Sequence, residues 1–142
     1  MSYARIKPNI IKAAEKMPAE DYQFKPTPEA RTFARVVNHV VEAQMHACMA
    51  VNGSGTGAAM LMPADAAGKT EIVEKLKASF VACDSAYAST TDANIAEMVP
   101  VGQGKRSRLG ILWGNIAHDN EQYATLALYL RLKGLVPPSS ER

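Results

Sequence analysis

The chain has 142 residues, of which 47% are hydrophobic and 21% are charged, a balance typical of one globular domain that buries its own core. The net charge of +2 is too small, and the basic residues are too scattered, to indicate a nucleic-acid-binding protein. No apolar stretch reaches the roughly 20 residues of a membrane span, and none follows the N-terminal basic residues as in a signal peptide. We therefore expect one cytoplasmic domain over residues 1–142, with neither nucleic acid nor a membrane as partner.

The first two predicted helices lie on either side of a proline-rich connector. Apolar residues at helical spacing predict a helix over about residues 7–17, which Pro18 ends, and an extended connector follows over residues 21–29. A second helix is predicted over residues 32–51, beginning with a threonine suited to cap it. The loop over residues 53–68 is long enough to be a functional lid, although a crossover between distant helix ends explains it equally well.

Two more helices complete the predicted fold. The third covers about residues 70–89, and an irregular stretch follows over residues 90–107. The basic cluster at residues 105–108 indicates a solvated turn before a helix in preference to an anion site. The fourth helix covers residues 108–133 and ends before Gly134. No strand pattern competes anywhere, so we expect an all-α four-helix bundle with long connections between helices 2 and 3 and between helices 3 and 4.

Cys48 and Cys83 are the only cysteines, and each lies in a helical apolar pattern. This setting favours buried free thiols over a disulfide.

The fourth helix carries the chemistry that stands out most. His118 and Gln122 are one turn apart, so their side chains leave the same face with Cβ atoms about 6 Å apart, the spacing of a helical metal-chelating pair. They belong to a polar seam with Asn115, Thr125 and Tyr129. On a largely apolar helix such a seam faces either solvent or a cavity, and Tyr129 with its flanking leucines favours the cavity.

Two histidines lie on the second predicted helix. His39 lies among valines and alanine, a setting that by itself indicates a buried neutral histidine with a hydrogen-bond partner. His46 is two turns further on, about 11 Å along the axis, too far to share an ion with His39. We therefore expect His46 to be an interface or partly exposed residue.

Sequence segments at both ends of the chain resemble the DinB/YfiT-like superfamily, and the resemblance covers nearly the whole chain. The N-terminal segments are KAAEKMP (12–18), YQFKPTPE (22–29), RTF (31–33) and NHV (38–40), and the C-terminal ones are EQY (121–123), YLRLKG (129–134) and VPPSS (136–140). The resemblance implies a four-helix bundle that is often a homodimer. It also implies a divalent metal held by three histidines, one on the second helix and two on the last.

On that pattern His39 matches the first ligand and His118 the second, whereas the third position holds Gln122. A glutamine carbonyl is a weak ligand for zinc, nickel or iron, so we expect a degenerate His-His-Gln site of lowered affinity. Glu121 points about 100° away from Gln122 on the helix. Glu42 shares a face with His39 and is either a substitute ligand or an ordinary exposed glutamate.

Two hypotheses on function follow. Characterised members of the family include thiol-dependent transferases and isomerases, which implies a divalent-metal enzyme of the thiol-transferase or hydrolase kind, acting on an unknown small molecule. In such an enzyme Tyr129 or Glu42 could orient or protonate the substrate, although no residue can be assigned as catalytic. The alternative is a metal-free, non-catalytic dimeric bundle or small-molecule-binding protein, and Gln122 favours this alternative. The presence of His39 and His118 favours the divalent-metal enzyme.

Overall fold

A computed structural model describes residues 1–54 and 64–141, which form four α-helices and one β-hairpin. The helices are α1 (Tyr3–Lys16), α2 (Phe33–Val51), α3 (Lys69–Ala88) and α4 (Arg108–Leu132), and the strands are β1 (Met98–Val101) and β2 (Gly104–Ser107). Short 3-10 turns lie at Ala19–Asp21 and Pro138–Ser140. The predicted all-α class and four-helix bundle are confirmed, including the long connections that precede α3 and α4.

Helix ends follow the local sequence closely. The Thr32 hydroxyl accepts a hydrogen bond from the Arg35 amide and caps α2 as predicted, and Ser107 caps α4 in the same way through the Gly110 amide. Gly134, just beyond α4, has a φ of 74°, the left-handed conformation that often ends a helix.

The prediction for the first helix began too late. α1 starts at Tyr3, since the Tyr3 ring stacks on Tyr87 of α3 at 3.9 Å between centroids and fixes the first turn.

The hairpin contradicts the prediction that no strand is present. β1 and β2 pair antiparallel, with Val101 opposite Gly104, and Gly102 in the turn has a φ of 57°. Each strand has only four residues, and of those in β1 only Val99 is buried. A strand this short is not recognisable from alternation of apolar and polar residues, and a proline such as Pro100 is unfavourable in a strand.

The bundle has two hydrophobic clusters. The larger joins all four helices around Phe33, Phe80 and Leu126. The smaller lies where the hairpin meets α2, α3 and α4, and its buried members are Cys48, Val51, Cys83, Ala86, Val99, Ile111 and Leu112. The hairpin therefore packs near the C-terminal ends of α2 and α3 and the N-terminal end of α4.

The prediction of two free thiols was wrong, since Cys48 and Cys83 form a disulfide bond inside the smaller cluster. α2 and α3 pack against each other and bring the two Cα atoms to 4.9 Å, within the range that a disulfide spans. The sequence gives each cysteine a buried helical position, but the register between two helices separated by a long connection is not visible in it.

The polar seam of α4 faces the interior of the bundle. Asn115, Gln122 and Tyr129 are buried, whereas the apolar side chains of Leu109 and Trp113 on the same helix are more than half exposed. Within the described residues no helix is both long and apolar enough to cross a membrane. Residues 55–63 of the loop predicted at 53–68 lie outside the described residues, so its role as lid or crossover stays a prediction.

Candidate metal centre

α2 and α4 pack side by side and bring His39 and His118 together. Their Nε2 atoms are 3.1 Å apart, and the rings meet edge to face with centroids 4.8 Å apart. With metal–nitrogen bonds of about 2.0–2.1 Å, two ligand nitrogens lie about 3.4 Å apart in a tetrahedral site and about 2.9 Å apart in an octahedral one. The observed separation falls between these values and also fits one imidazole–imidazole hydrogen bond.

The surroundings of His118 favour the neutral ring. Burial lowers the pKa of His118 below its ordinary value, and the nearby His39 lowers it further. A neutral imidazole is the form that coordinates a metal. Among the described residues the buried Nδ1 atom of His118 has no hydrogen-bond partner, so no protein contact fixes its tautomer from that side.

His39 is oriented by a carboxylate. Its Nδ1 atom lies 3.4 Å from Glu42 Oε2, and Arg35 holds that carboxylate with two hydrogen bonds of 2.6 and 2.8 Å. The hydrogen bonds from Arg35 lower the pKa of Glu42 despite partial burial. A carboxylate that accepts a hydrogen bond from one ring nitrogen fixes the proton on that nitrogen. The other nitrogen then keeps a lone pair that is available to a metal.

This arrangement places Glu42 behind His39, in neither of the two roles considered from the sequence. Its oxygens contact Arg35 and the Nδ1 side of His39, which is the side away from His118. The carboxylate is ion-paired and does not stand free in solvent. Glu42 therefore braces the His39 ring.

Gln122 is buried one turn after His118, with 8% of its surface exposed. The described part of the chain contains no group of three or more His, Cys, Asp or Glu side chains able to hold an ion, so a third protein ligand has to come from another residue type. Gln122 as that ligand stays a prediction. Glu121 and His46 are both exposed, which agrees with leaving them outside the ligand set.

Tyr129 is already engaged by the protein. Its hydroxyl donates a 2.9 Å hydrogen bond to the Arg31 carbonyl, and its ring packs edge-on against Phe24. Protonating a substrate requires this contact to break, whereas the hydroxyl oxygen can still accept a hydrogen bond.

Asp119 is a buried charged residue that is not among the site residues predicted from the sequence. It is fully buried, and its Oδ2 atom accepts hydrogen bonds from Gln44 and Asn115 at 3.4 and 3.3 Å. Burial raises the pKa of Asp119 to about 7. Its position one turn after Asn115 on the polar seam was the signal that could have placed it inside.

A cleft of about 220 Å³ opens beside His118, between α2, α4 and the hairpin. Its apolar lining comes from Ala43, Ala47, Val101 and Ile111, and its polar lining from His46, Arg106, Asn115 and His118. This cleft was not predicted from the sequence, because the hairpin that closes one side of it was not predicted. Arg106, assigned from the sequence to a solvated turn, lies on its wall.

The fold is a four-helix bundle in which a histidine of the second helix meets one of the last. The family model of the DinB superfamily matches residues 3–126, and the chain belongs to that superfamily. The comparison with curated proteins gives no match.

Solved structures share the fold at low sequence identity. A DinB-like protein from Bacillus cereus ATCC 10987 has a TM-score of 0.76 and 17% identity over 96% of this chain and 91% of that one. A DinB-like protein from Bacillus subtilis gives 0.74 and 14% over 96% and 93%. The mycothiol-dependent maleylpyruvate isomerase gives 0.67 and 13% over 85% of this chain and 56% of that one. Identities this low establish the fold alone.

Proposed function

We propose that the chain binds one divalent metal ion through His39 Nε2, His118 Nε2 and the side-chain oxygen of Gln122, and that the ion serves a metal-dependent enzyme. The observation that carries the proposal is the 3.1 Å approach of the two Nε2 atoms, with a carboxylate held behind one of the rings. A histidine braced in this way is the usual arrangement of metal-binding imidazoles.

Zinc, nickel or iron suits two imidazoles and one carbonyl oxygen, with water in the remaining positions. Such an ion, when bound, lowers the pKa of a coordinated water or thiol and polarises a substrate carbonyl. The protein's own residues orient the ligands and the substrate. Arg35 holds Glu42, Glu42 orients His39, and the cleft lined by His118 offers a small substrate a place beside that ring.

The reaction class that we propose is transfer to or from a thiol, with hydrolysis as the related possibility. Support comes from the shared fold with an isomerase that depends on mycothiol. The thiol itself is not assigned. Cys48 and Cys83 are bonded to each other and supply no free thiol, so a thiol reactant would have to enter as a small molecule.

Metal binding is tested on protein purified without a histidine tag. We expect zinc or nickel titration to reach one ion per chain, and we expect His39→Ala and His118→Ala to abolish that binding. His46→Ala is the matched control, since it removes an exposed histidine from the same helix as His39. A metal content below one ion per chain that does not rise on adding zinc or nickel contradicts the proposal.

The second candidate is a metal-free, non-catalytic bundle or small-molecule-binding protein. It is favoured by Gln122 and by the lack of a third His, Cys, Asp or Glu at the pair within residues 1–54 and 64–141. In that case the Nε2–Nε2 contact is a hydrogen bond that ties α2 to α4. Under this alternative both alanine variants bind as little metal as the wild type, which separates the two candidates.

We also propose that the protein is a homodimer. The supporting feature is an exposed apolar surface on α4, where Trp113 is 70% and Leu109 is 52% exposed beside Ile116 and Ile95. Exposed tryptophan within an apolar patch is typical of protein interfaces. The cytoplasmic location stays a prediction from the sequence.

A further inference from the structure

The cleft beside His118 carries a positive charge that no described residue neutralises. Arg106 forms no ion pair or side-chain hydrogen bond with any described residue, whereas the nearby Arg108 is bound to Glu97 at 2.8 Å and to the Val51 carbonyl at 3.0 Å. None of the described residues that line the cleft is acidic. An arginine without a partner at the edge of a cleft is suited to bind an anion, because its planar guanidinium pairs with a carboxylate through two parallel hydrogen bonds.

The remaining wall of the cleft limits what that anion can be. Its inner surface is formed mainly by Ala43, Ala47, Val101 and Ile111, which offer methyl groups and no side-chain hydrogen bonds. A small, strongly hydrated anion such as inorganic phosphate could pair with Arg106 but would gain nothing from these apolar walls. An organic anion with an apolar body gains from the same walls.

The volume of the cleft indicates the size of ligand that fills it. Its volume of about 220 Å³ is below the range of about 300–1,000 Å³ that is usual for drug-sized ligands. A single ring or a short chain with one charged group is therefore enough to fill it.

We propose that the cleft between α2, α4 and the hairpin binds a small carboxylate with an apolar body, and that Arg106 pairs with the carboxylate. The apolar body lies against the alanines of α2 and Ile111 of α4. Because His118 lines the same cleft, the bound molecule lies against one of the two proposed metal ligands. That this molecule is the substrate rests on the proposed function, but its binding does not.

Benzoate is the probe, and benzamide, its neutral counterpart of nearly equal shape, is the chemical control. Titrations of the metal-free protein are followed by the backbone amide NMR signals of Ala43, Ala47 and Gly114. We expect benzoate to shift these signals saturably, and we expect benzamide and inorganic phosphate to bind at least about tenfold more weakly.

The matched variants are Arg106→Gln and Lys105→Gln, which remove the same charge from adjacent residues of β2. We expect Arg106→Gln to weaken benzoate binding about tenfold or more, since it removes the charge that pairs with the carboxylate. We expect Lys105→Gln, which does not line the cleft, to bind as the wild type does. Equal effects of the two variants, equal binding of benzamide, or no saturable shift with benzoate would each overturn the proposal.

Zinc titration of the same variants distinguishes this proposal from the metal site. We expect Arg106→Gln to bind zinc as tightly as the wild type, because Arg106 contacts neither His39 nor His118. Benzoate binding that depends on Arg106 in a protein that does not bind zinc supports the cleft and rejects the metal function. Zinc binding without benzoate binding leaves the metal function standing and rejects the cleft assignment.

Discussion

At the scale of single residues, Gln122 is the weakest ligand of the proposed metal site. It occupies the position one turn after His118 and is buried. Replacing its weak carbonyl ligand by imidazole adds a strong third ligand if the three positions converge. We expect Gln122→His to raise zinc affinity by about an order of magnitude or more, measured by competition with a chromophoric chelator.

Glu121→His is the control for that variant. It adds a histidine one residue away, on an exposed part of α4 that points about 100° from Gln122. We expect no gain in zinc affinity from it. A Gln122→His variant that binds zinc no better than Glu121→His would show that position 122 does not converge with His39 and His118.

Asp84 gives the fold a pH dependence that can be measured. It lies 2.6 Å from Lys7 Nζ and accepts a 2.8 Å hydrogen bond from the Tyr3 hydroxyl. Although partial burial acts to raise the pKa of Asp84, these two hydrogen bonds outweigh it and lower the pKa below 3.8. A carboxyl group whose pKa is lower in the folded state stabilises the fold above its unfolded pKa, and this contribution is lost as pH falls through the folded value.

We therefore expect Asp84→Asn to lower the free energy of unfolding at neutral pH by at most about 1 kcal/mol, since the pair is partly exposed. The difference from the wild type should close as the pH falls below 3.8. Urea unfolding at a series of pH values measures it. A difference that is constant with pH would mean that the ionised carboxylate is not what stabilises the contact.

Sequence reasoning reached some residues of the site and missed others for physical reasons. The pairing of His39 with His118 came from the family resemblance, because a sequence separation of 79 leaves no spacing rule to apply. Asp119 was not predicted to be buried, since charged residues rarely are and its partners Gln44 and Asn115 come from two different helices. Arg106 was assigned to solvent because the cleft exists only once the hairpin folds back onto α2.

At the scale of elements, the bond between Cys48 and Cys83 joins α2 to α3 across a separation of 35 residues that includes the 53–68 connection. A cross-link of this span restricts the unfolded chain and is worth about 2–4 kcal/mol. We expect the oxidised protein to be more stable than the reduced protein by that amount, measured by urea unfolding with and without a phosphine reductant.

The control is the double variant Cys48→Ala and Cys83→Ala, whose stability should not respond to the reductant. Two free thiols in denatured protein that was purified without reductant would contradict the disulfide bond. An unchanged urea midpoint of the wild type on reduction would contradict the expected gain in stability.

The helices themselves were the most predictable elements. Thr32 capped α2 and Gly134 followed α4 as the sequence indicated, because caps and amphipathic periodicity are local properties. The hairpin was not predictable from strands of four residues, one of which contains Pro100. Local patterns identify long helices well and short strands poorly, since a short strand is stabilised mainly by what it packs against.

At the scale of the whole molecule, the exposed surface around Trp113 predicts self-association. We expect the wild type to elute as a dimer at micromolar concentration and Trp113→Gln to elute as a monomer, because a buried interface tryptophan is often a dominant contact. Leu128→Gln is the matched control, since it removes another exposed apolar side chain of α4, four turns further along the helix. A monomeric wild type, or equal elution of the two variants, contradicts this surface as the interface.

The most direct test of the central claim is to observe the histidine nitrogens themselves during zinc addition. Long-range nitrogen–proton NMR spectra resolve Nδ1 from Nε2 in each imidazole of the metal-free protein. The His39–His118 pair predicts that one equivalent of zinc moves the Nε2 signals of both residues together, in the direction of metal coordination, while His46 stays unchanged. Unchanged Nε2 signals of His39 and His118, or a response at His46 alone, would contradict a metal centre between α2 and α4.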